Sequence, residues 1–455
     1  MLYQKIAIPF KREFYSNFTT FNHHSLTQMA DSLIQIIAKL NIHFIWLFLD
    51  VYFDHIHQHI VKMKLRTHLL ASLLLLCFIT SCKGNTENEN KYAFAKAESQ
   101  QPKISTLKVA PYTIRVALLL DTSNSMDGLI DQAKSQLWEL VNELSYAKCG
   151  NETKPGLEIS LYEYGNDGLN AREGFIRQVL PMSTDLDEIS KQLFKLTTNG
   201  GNEYCGQVIQ TSLNQLNWGT RDNDLNLIFI AGNEPFTQGP VRYQDAATNA
   251  CEKDVTINTI FCGNYNEGVN TNWKNGADRT KGSYIAINSD KQTVHIPSPY
   301  DDRILERNKA LNKTYVAYGA LGTAKAQEQS IQDSNAMNYG EANAVKRAVS
   351  KSSHFYKNES WDLVDAEEKE DFSYDKLDVE SLPIELKGKS EKEIKKYVAQ
   401  KRKERKSLQE EIAILNKDRR DYVDQQQKEG ENELQNALLE SIKKQAKAKN
   451  YSWDN

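Results

Sequence analysis

The sequence predicts an α/β fold: a doubly wound, mostly parallel sheet followed by a C-terminal α-helical extension. Three observations predict it. The runs Ile114–Leu120 and Leu225–Ile230 are apolar at nearly every position, as strands buried on both faces must be. Segments with helical spacing alternate with such runs over roughly 200 residues, the order that builds a parallel sheet with helices on both sides. From residue 387 onward Lys, Glu, Gln and Leu dominate and apolar residues thin to a stripe, the pattern of helices that face water on most sides.

Ile114–Leu120 is interrupted only by Arg115, near its start. A turn rich in Ser and Asn follows. Leu129, Ile130, Ala133, Leu137, Leu140, Val141 and Leu144 then recur at helical spacing. Pro155-Gly156 breaks the chain before a strand at Leu157–Tyr162. Phe175–Leu180 is placed as its hairpin partner across Asn166-Asp167-Gly168. Helices are expected at Leu186–Leu196 and Gly206–Leu216, a buried strand at Leu225–Ile230, a helix at Tyr243–Glu252, and strands at Val255–Cys262 and Ser283–Ile287. Residues 322–351 read as helical. Residues 359–385 read as an acidic linker whose Trp361, Phe372 and Tyr374 dock on another surface. Ser390-x-x-Glu393 is a capping box opening a long helical region. Its apolar stripe runs through Ile394, Val398, Leu408, Ile412, Leu415, Tyr422, Leu434, Leu438 and Ile442, with Gly430 splitting it into two helices. Such a stripe suits either a helical hairpin packing on its own domain or a coiled coil with a partner.

The chain has 455 residues with 56 Lys and Arg against 60 Asp and Glu, a net charge of −4, which gives no electrostatic case for nucleic acid. Leu69–Ile79 is apolar, follows the basic Met63-Lys64-Leu65-Arg66 and precedes Thr80-Ser81-Cys82. That is the layout of a secretory signal, too short to span a bilayer. Its ending resembles a lipobox, in which Cys82 is acylated and the chain is cut before it. Residues 1–62 then read as an over-extended gene start, with a genuine leader as the alternative. Residues 63–81 form the signal, 82–110 a flexible tether, 111–320 the α/β domain, 321–386 a helix and acidic linker, and 387–455 the charged helical region. The protein is placed on the bacterial cell envelope by a lipid. Lys83 is compatible with outer-membrane sorting, and the face it occupies is left open. In an oxidising compartment Cys149, Cys205, Cys251 and Cys262 suggest up to two disulfides, with three full pairings possible. A four-thiolate zinc site is disfavoured because no C-x-x-C pair occurs.

The turn after the first strand reads Asp121-Thr122-Ser123-Asn124-Ser125. In sheets of this kind ligands gather at strand C-termini. One carboxylate and two hydroxyls there make a partial cage for a hard cation that keeps some of its waters. The competing reading is a helix cap, with Asp121 and the hydroxyls bonding first-turn amides. A buried strand ending in D-x-S-x-S before an amphipathic helix resembles the von Willebrand factor A domain and its metal-ion-dependent adhesion site. The resemblance covers about residues 112–320. It extends to the Gly200-Gly201 loop, to Ile230-Ala231-Gly232-Asn233-Glu234-Pro235, and to Trp273 with Gly282-Ser283-Tyr284. It implies a divalent cation, Mg2+ first with Mn2+ or Ca2+ as alternatives, and a protein ligand that completes the coordination with an acidic side chain. It also implies Asp121, Ser123 and Ser125 as ligands, with Asn202 and Asn233 as outer members. Two positions depart from the family pattern. Asn202 stands where Thr follows the glycines, and Gly232 or Asn233 stands where an Asp ends the fourth-strand region. Glu203 and Glu234 are candidates to supply the missing charge.

The domain therefore reads as a membrane-tethered binding module. The alternative is an envelope scaffold with a degenerate metal site, acting through its C-terminal helices. An enzyme is disfavoured: beyond Cys82 only His295 and His354 occur, and no nucleophile–base pair or phosphate loop is recognisable.

Overall fold

The computed structural model describes residues 112–150, 153–287, 296–426 and 433–453. The expectations for residues 1–111, including the signal, Cys82 and the tether, lie outside the described residues, as does Gly430.

The apolar run after Tyr112 forms β1 (Thr113–Asp121), the third strand of a six-stranded sheet. β3 (Gly156–Tyr164), β5 (Leu225–Gly232), β6 (Val255–Cys262) and β7 (Tyr284–Ile287) lie parallel to it, and β4 (Ile176–Ser183) runs antiparallel at one edge. The order is β4-β3-β1-β5-β6-β7. Alternation along β1 splits the core in two. Ile114, Val116 and Leu120 face a cluster with α1 (Asp127–Ser145) and α2 (Leu186–Phe194). Ala117 and Leu119 face the other side, where α3 (Cys205–Gln215) and α4 (Tyr243–Glu252) pack. The sheet is thus covered on both faces, as the doubly wound reading requires. Short helices α5 (Tyr265–Asn270) and α6 (Trp273–Asp278) connect β6 to β7.

The extension begins with α7 (Asp301–Asn312). The helical stretch expected at 322–351 is two helices, α8 (Gly322–Tyr339) and α9 (Glu341–Ser352), parted at Gly340, whose φ of 145° breaks the helical backbone. In the stretch read as an acidic linker Trp361 is buried, and Phe372 and Tyr374, which meet edge to face, pack against a cluster that includes Leu363, Leu382 and Ile394. The same stretch contains the single-turn helix α10 (Leu363–Ala366). α11 (Glu391–Gln426) packs on α7, α9 and α10 through Ile394, Val398, Ile412 and Leu415. α12 (Glu433–Lys447) packs instead on α1, β7 and β8 (Tyr451–Trp453). β8 pairs antiparallel with β2 (Ala147–Cys149), so the chain end returns to the α/β domain. Among the described residues no helix is long and apolar enough to cross a membrane.

Candidate metal centre

Pairing of β1 with β3 ends at Asp121 opposite Tyr164, and the chain turns away at once: the Ser123 amide donates to Asp121 Oδ1 at 2.7 Å. A single 3-10 turn, Asn124–Met126, separates Ser123 from α1. Neither Ser123 before that turn nor Met126 before α1 makes a side-chain cap bond. The helix-cap reading of Asp121 is therefore replaced by a local turn that fixes one carboxylate oxygen. The other, Oδ2, is buried without a hydrogen-bond partner.

Glu203 stands beside it. The loop before α3 buries Glu203, and its Oε2 too lacks a partner. The two carboxylates meet over Gly165, where a Cβ would lie 2.7 Å from Glu203 Cγ and 2.8 Å from Asp121 Oδ1. Gly165 also has a φ of 78°, so both its backbone and its missing side chain are needed. Burial, and then Glu203, push the Asp121 carboxyl well above its usual range; burial likewise raises Glu203, and the Glu234 charge adds to it. Two adjacent buried carboxylates resist ionising together unless a cation joins them.

The hydroxyls continue the cluster. Ser123 Oγ lies 3.4 Å from Ser125 Oγ, and Asn233 Nδ2 donates to Ser125 Oγ at 3.1 Å. Asn233 Oδ1 is a third buried oxygen without a partner. Of the two candidates for the end of β5, Gly232 has no room for an acid: a Cβ there would meet Tyr164 Oη at 2.6 Å and Asp121 Oδ2 at 3.0 Å. Tyr164 is itself held, donating to Ala231 O at 2.9 Å. Asn202 is exposed, so Glu203, not its neighbour, accompanies Asp121. Glu234 is exposed and accepts from Gln238 Nε2 at 3.0 Å, while Gln238 Oε1 accepts from the Glu203 amide at 3.3 Å. Trp273, fully buried, donates to Glu234 O at 2.8 Å and pins this loop from below. Gly165, Tyr164 and Gln238 escaped sequence reading; the glycine directly after a strand end was the one available signal.

The fit to a hard cation rests on these donors: buried, partnerless oxygens of Asp121, Glu203 and Asn233, with two hydroxyls beside them, all oxygen and two of them charged. Among the described residues no three His, Cys, Asp or Glu side chains cluster as a metal site. The expected disulfides are not formed in this structure. Cys149, Cys205 and Cys262 are buried free thiols and Cys251 is an exposed one. Cys205 Sγ lies 3.8 Å from Tyr164 Oη, behind the site.

The von Willebrand factor type A domain family matches residues 116–301, so the chain carries such a domain, a class of non-catalytic binding modules. Solved structures similar to it include proximal thread matrix protein 1 from the mussel byssus, at 12% identity and a TM-score of 0.29, covering 40% of this chain and 43% of that one. BatB from Bacteroides thetaiotaomicron matches at 14% identity and a TM-score of 0.30, covering 49% of this chain and 99% of that one. An aerotolerance-related membrane protein from Bacteroides fragilis matches at 16% identity and a TM-score of 0.25, over 39% and 92%. The chain therefore spans less than half the length of the mussel protein. No curated protein matches the chain.

Proposed function

We propose that this domain binds a protein ligand through a divalent cation held at the C-terminal edge of its sheet. Asp121, Ser123, Ser125, Glu203 and Asn233 would hold the cation, and an acidic side chain of the partner would complete its coordination. The observation that carries this reading is the pair of adjacent carboxylates, Asp121 and Glu203, each with a buried, partnerless oxygen, with the Ser123 and Ser125 hydroxyls and Asn233 beside them. Buried polar atoms are nearly always satisfied, and a cation between the two carboxylates would satisfy both. An all-oxygen donor set favours Mg2+, with Mn2+ or Ca2+ next. The acid absent from the end of β5 is replaced by Glu203, so the site keeps two carboxylates. Lipidation at Cys82 would tether the module to the bacterial envelope, with residues 82–110 giving reach. Release of a Cys82→Ser variant from the membrane fraction would support the tether, and its retention there would overturn it.

Thermal unfolding in EDTA and then in Mg2+, Mn2+ or Ca2+ tests the site, with Asp121→Ala alongside. Cation at about 100 times its Kd stabilises by about 2.7 kcal/mol. For a domain of this size that raises Tm by about 5–10 °C. A rise of that order, absent in Asp121→Ala, is expected. No rise with any of the three at millimolar concentration would sink the proposal.

A further inference from the structure

A second cluster lies in the extension, where α7, α8 and α9 meet. Lys351 on α9 is a fully buried amine. Its Nζ donates to Asp333 Oδ2 at 2.8 Å and Oδ1 at 3.1 Å, and it touches Asn312 Oδ1 at the end of α7. Asn312 Nδ2 in turn donates to Asp333 Oδ2 at 2.7 Å. One carboxylate therefore bridges the lysine nitrogen and the nitrogen of the amide that the lysine contacts. Ile304, Leu311, Val345 and Ala348, all buried, supply the apolar side of this region. The other charges facing it are Arg347, whose Nε lies 2.6 Å from Asp333 Oδ1, and Asp187, 2.8 Å from Arg347.

We propose that Lys351 and Asn312 form an intramolecular isopeptide bond, with Asp333 carrying the proton between them. The Nζ lone pair attacks Asn312 Cγ, the Cγ–Nδ2 bond breaks, and the amide nitrogen leaves as ammonia. The three protons of the starting ammonium are accounted for: one stays on the new amide nitrogen, one leaves on ammonia, and one remains on Asp333. No oxidant or reductant is needed. The buried group starts neutral, with Asp187 and Asp333 against Arg347 and Lys351, and ends neutral, with Asp187 against Arg347. Burial brings the Lys351 amine down to about 8, which provides the nucleophilic free base near neutral pH. Asn312 thus presents its carbonyl to the lysine nitrogen and its leaving nitrogen to the carboxylate. The bond would join the ends of α7 and α9 across 39 residues.

Mass spectrometry of the full chain after incubation at mildly alkaline pH decides it. Formation lowers the intact mass by about 17 Da, the mass of ammonia. It also blocks trypsin at Lys351, giving a branched peptide that joins residues 310–313 to residues 348–357. Lys351→Arg and Asp333→Asn should show the full mass. A linear peptide ending at Lys351 as the sole product from wild type would overturn the proposal, and so would a mass loss without the branched peptide.

Discussion

The pair Asp121 and Glu203 sets the behaviour of the centre. Both carboxyls are raised, chiefly by burial, so the folded protein holds protons there more tightly than the unfolded chain does. Stability from this source is fully present below the ordinary carboxylate range, about 4, and is lost as pH rises through the higher folded values. Cation-free protein should therefore melt lower at pH 7.5 than at pH 5. Glu203→Gln removes one of the two charges and should flatten that slope. Each pKa unit relieved is worth about 1.4 kcal/mol, a Tm gain of roughly 2–5 °C in EDTA at pH 7.5. The same variant should lose most of the stabilisation by Mg2+. Melts of wild type and Glu203→Gln across this pH range, with and without cation, would expose an error. A variant that is less stable in EDTA at every pH would mean Glu203 is structural.

At the scale of elements, the parts legible in the sequence were those whose burial follows a simple period. β1 and β5 are read directly because their apolar runs are covered on both faces, and α4 and β6 fall at the expected residues. α7 was missed because only Ile304 and Leu311 of its apolar side chains are fully buried, among polar and charged neighbours. β8 spans three residues, too few to show alternation. The site was legible as far as D-x-S-x-S. The place of Glu203 beside Asp121 depends on Gly165, 38 positions earlier, and no local pattern expresses that. The capping box was half right. Glu393 accepts from the Ser390 amide at 2.8 Å, but the Ser390 hydroxyl donates to Glu393 rather than capping its amide. The stripe on α11 showed the apolar contacts but not the charged ones. Arg405 and Arg419 are buried on that helix, Arg405 against Asp362 and Asp365 at 2.7 Å each and Arg419 against Asp301 at 2.8 Å. Arg405→Ala would leave the buried Asp362 and the half-buried Asp365 without their cation, at a cost of about 3–5 kcal/mol. Urea unfolding should show it, with part of the loss recovered in Arg405→Ala/Asp362→Asn. A cost below about 1 kcal/mol would place that ion pair among those that contribute little.

Over the whole molecule, the extension and the α/β domain share one core. Ile442 and Ala446 of α12 and Tyr451 of β8 are buried in the same cluster as β1, α1 and α2. Burying a large apolar side chain contributes about 1.5–3 kcal/mol, and a domain's whole stability is about 5–15 kcal/mol. Deleting residues 433–455 removes these side chains and the partner of β2. The truncated protein should melt far lower, or lack a cooperative transition, even in saturating Mg2+. Truncation thus cannot separate a cation-dependent binding module from a scaffold acting through its C-terminal helices, since it damages the domain in either case. Substitutions on the outer face of α11 can. Ile414 is 63% exposed although apolar, and Lys403 is exposed on the same helix. Ile414→Glu/Lys403→Glu removes no buried contact, so its stability should stay within about 0.5 kcal/mol per site of wild type and its Mg2+ shift should be unchanged. If protein partners are recovered with Asp121→Ala but lost with the double variant, α11 carries the interaction. Loss with Asp121→Ala and retention with the double variant would assign recognition to the centre at the sheet edge.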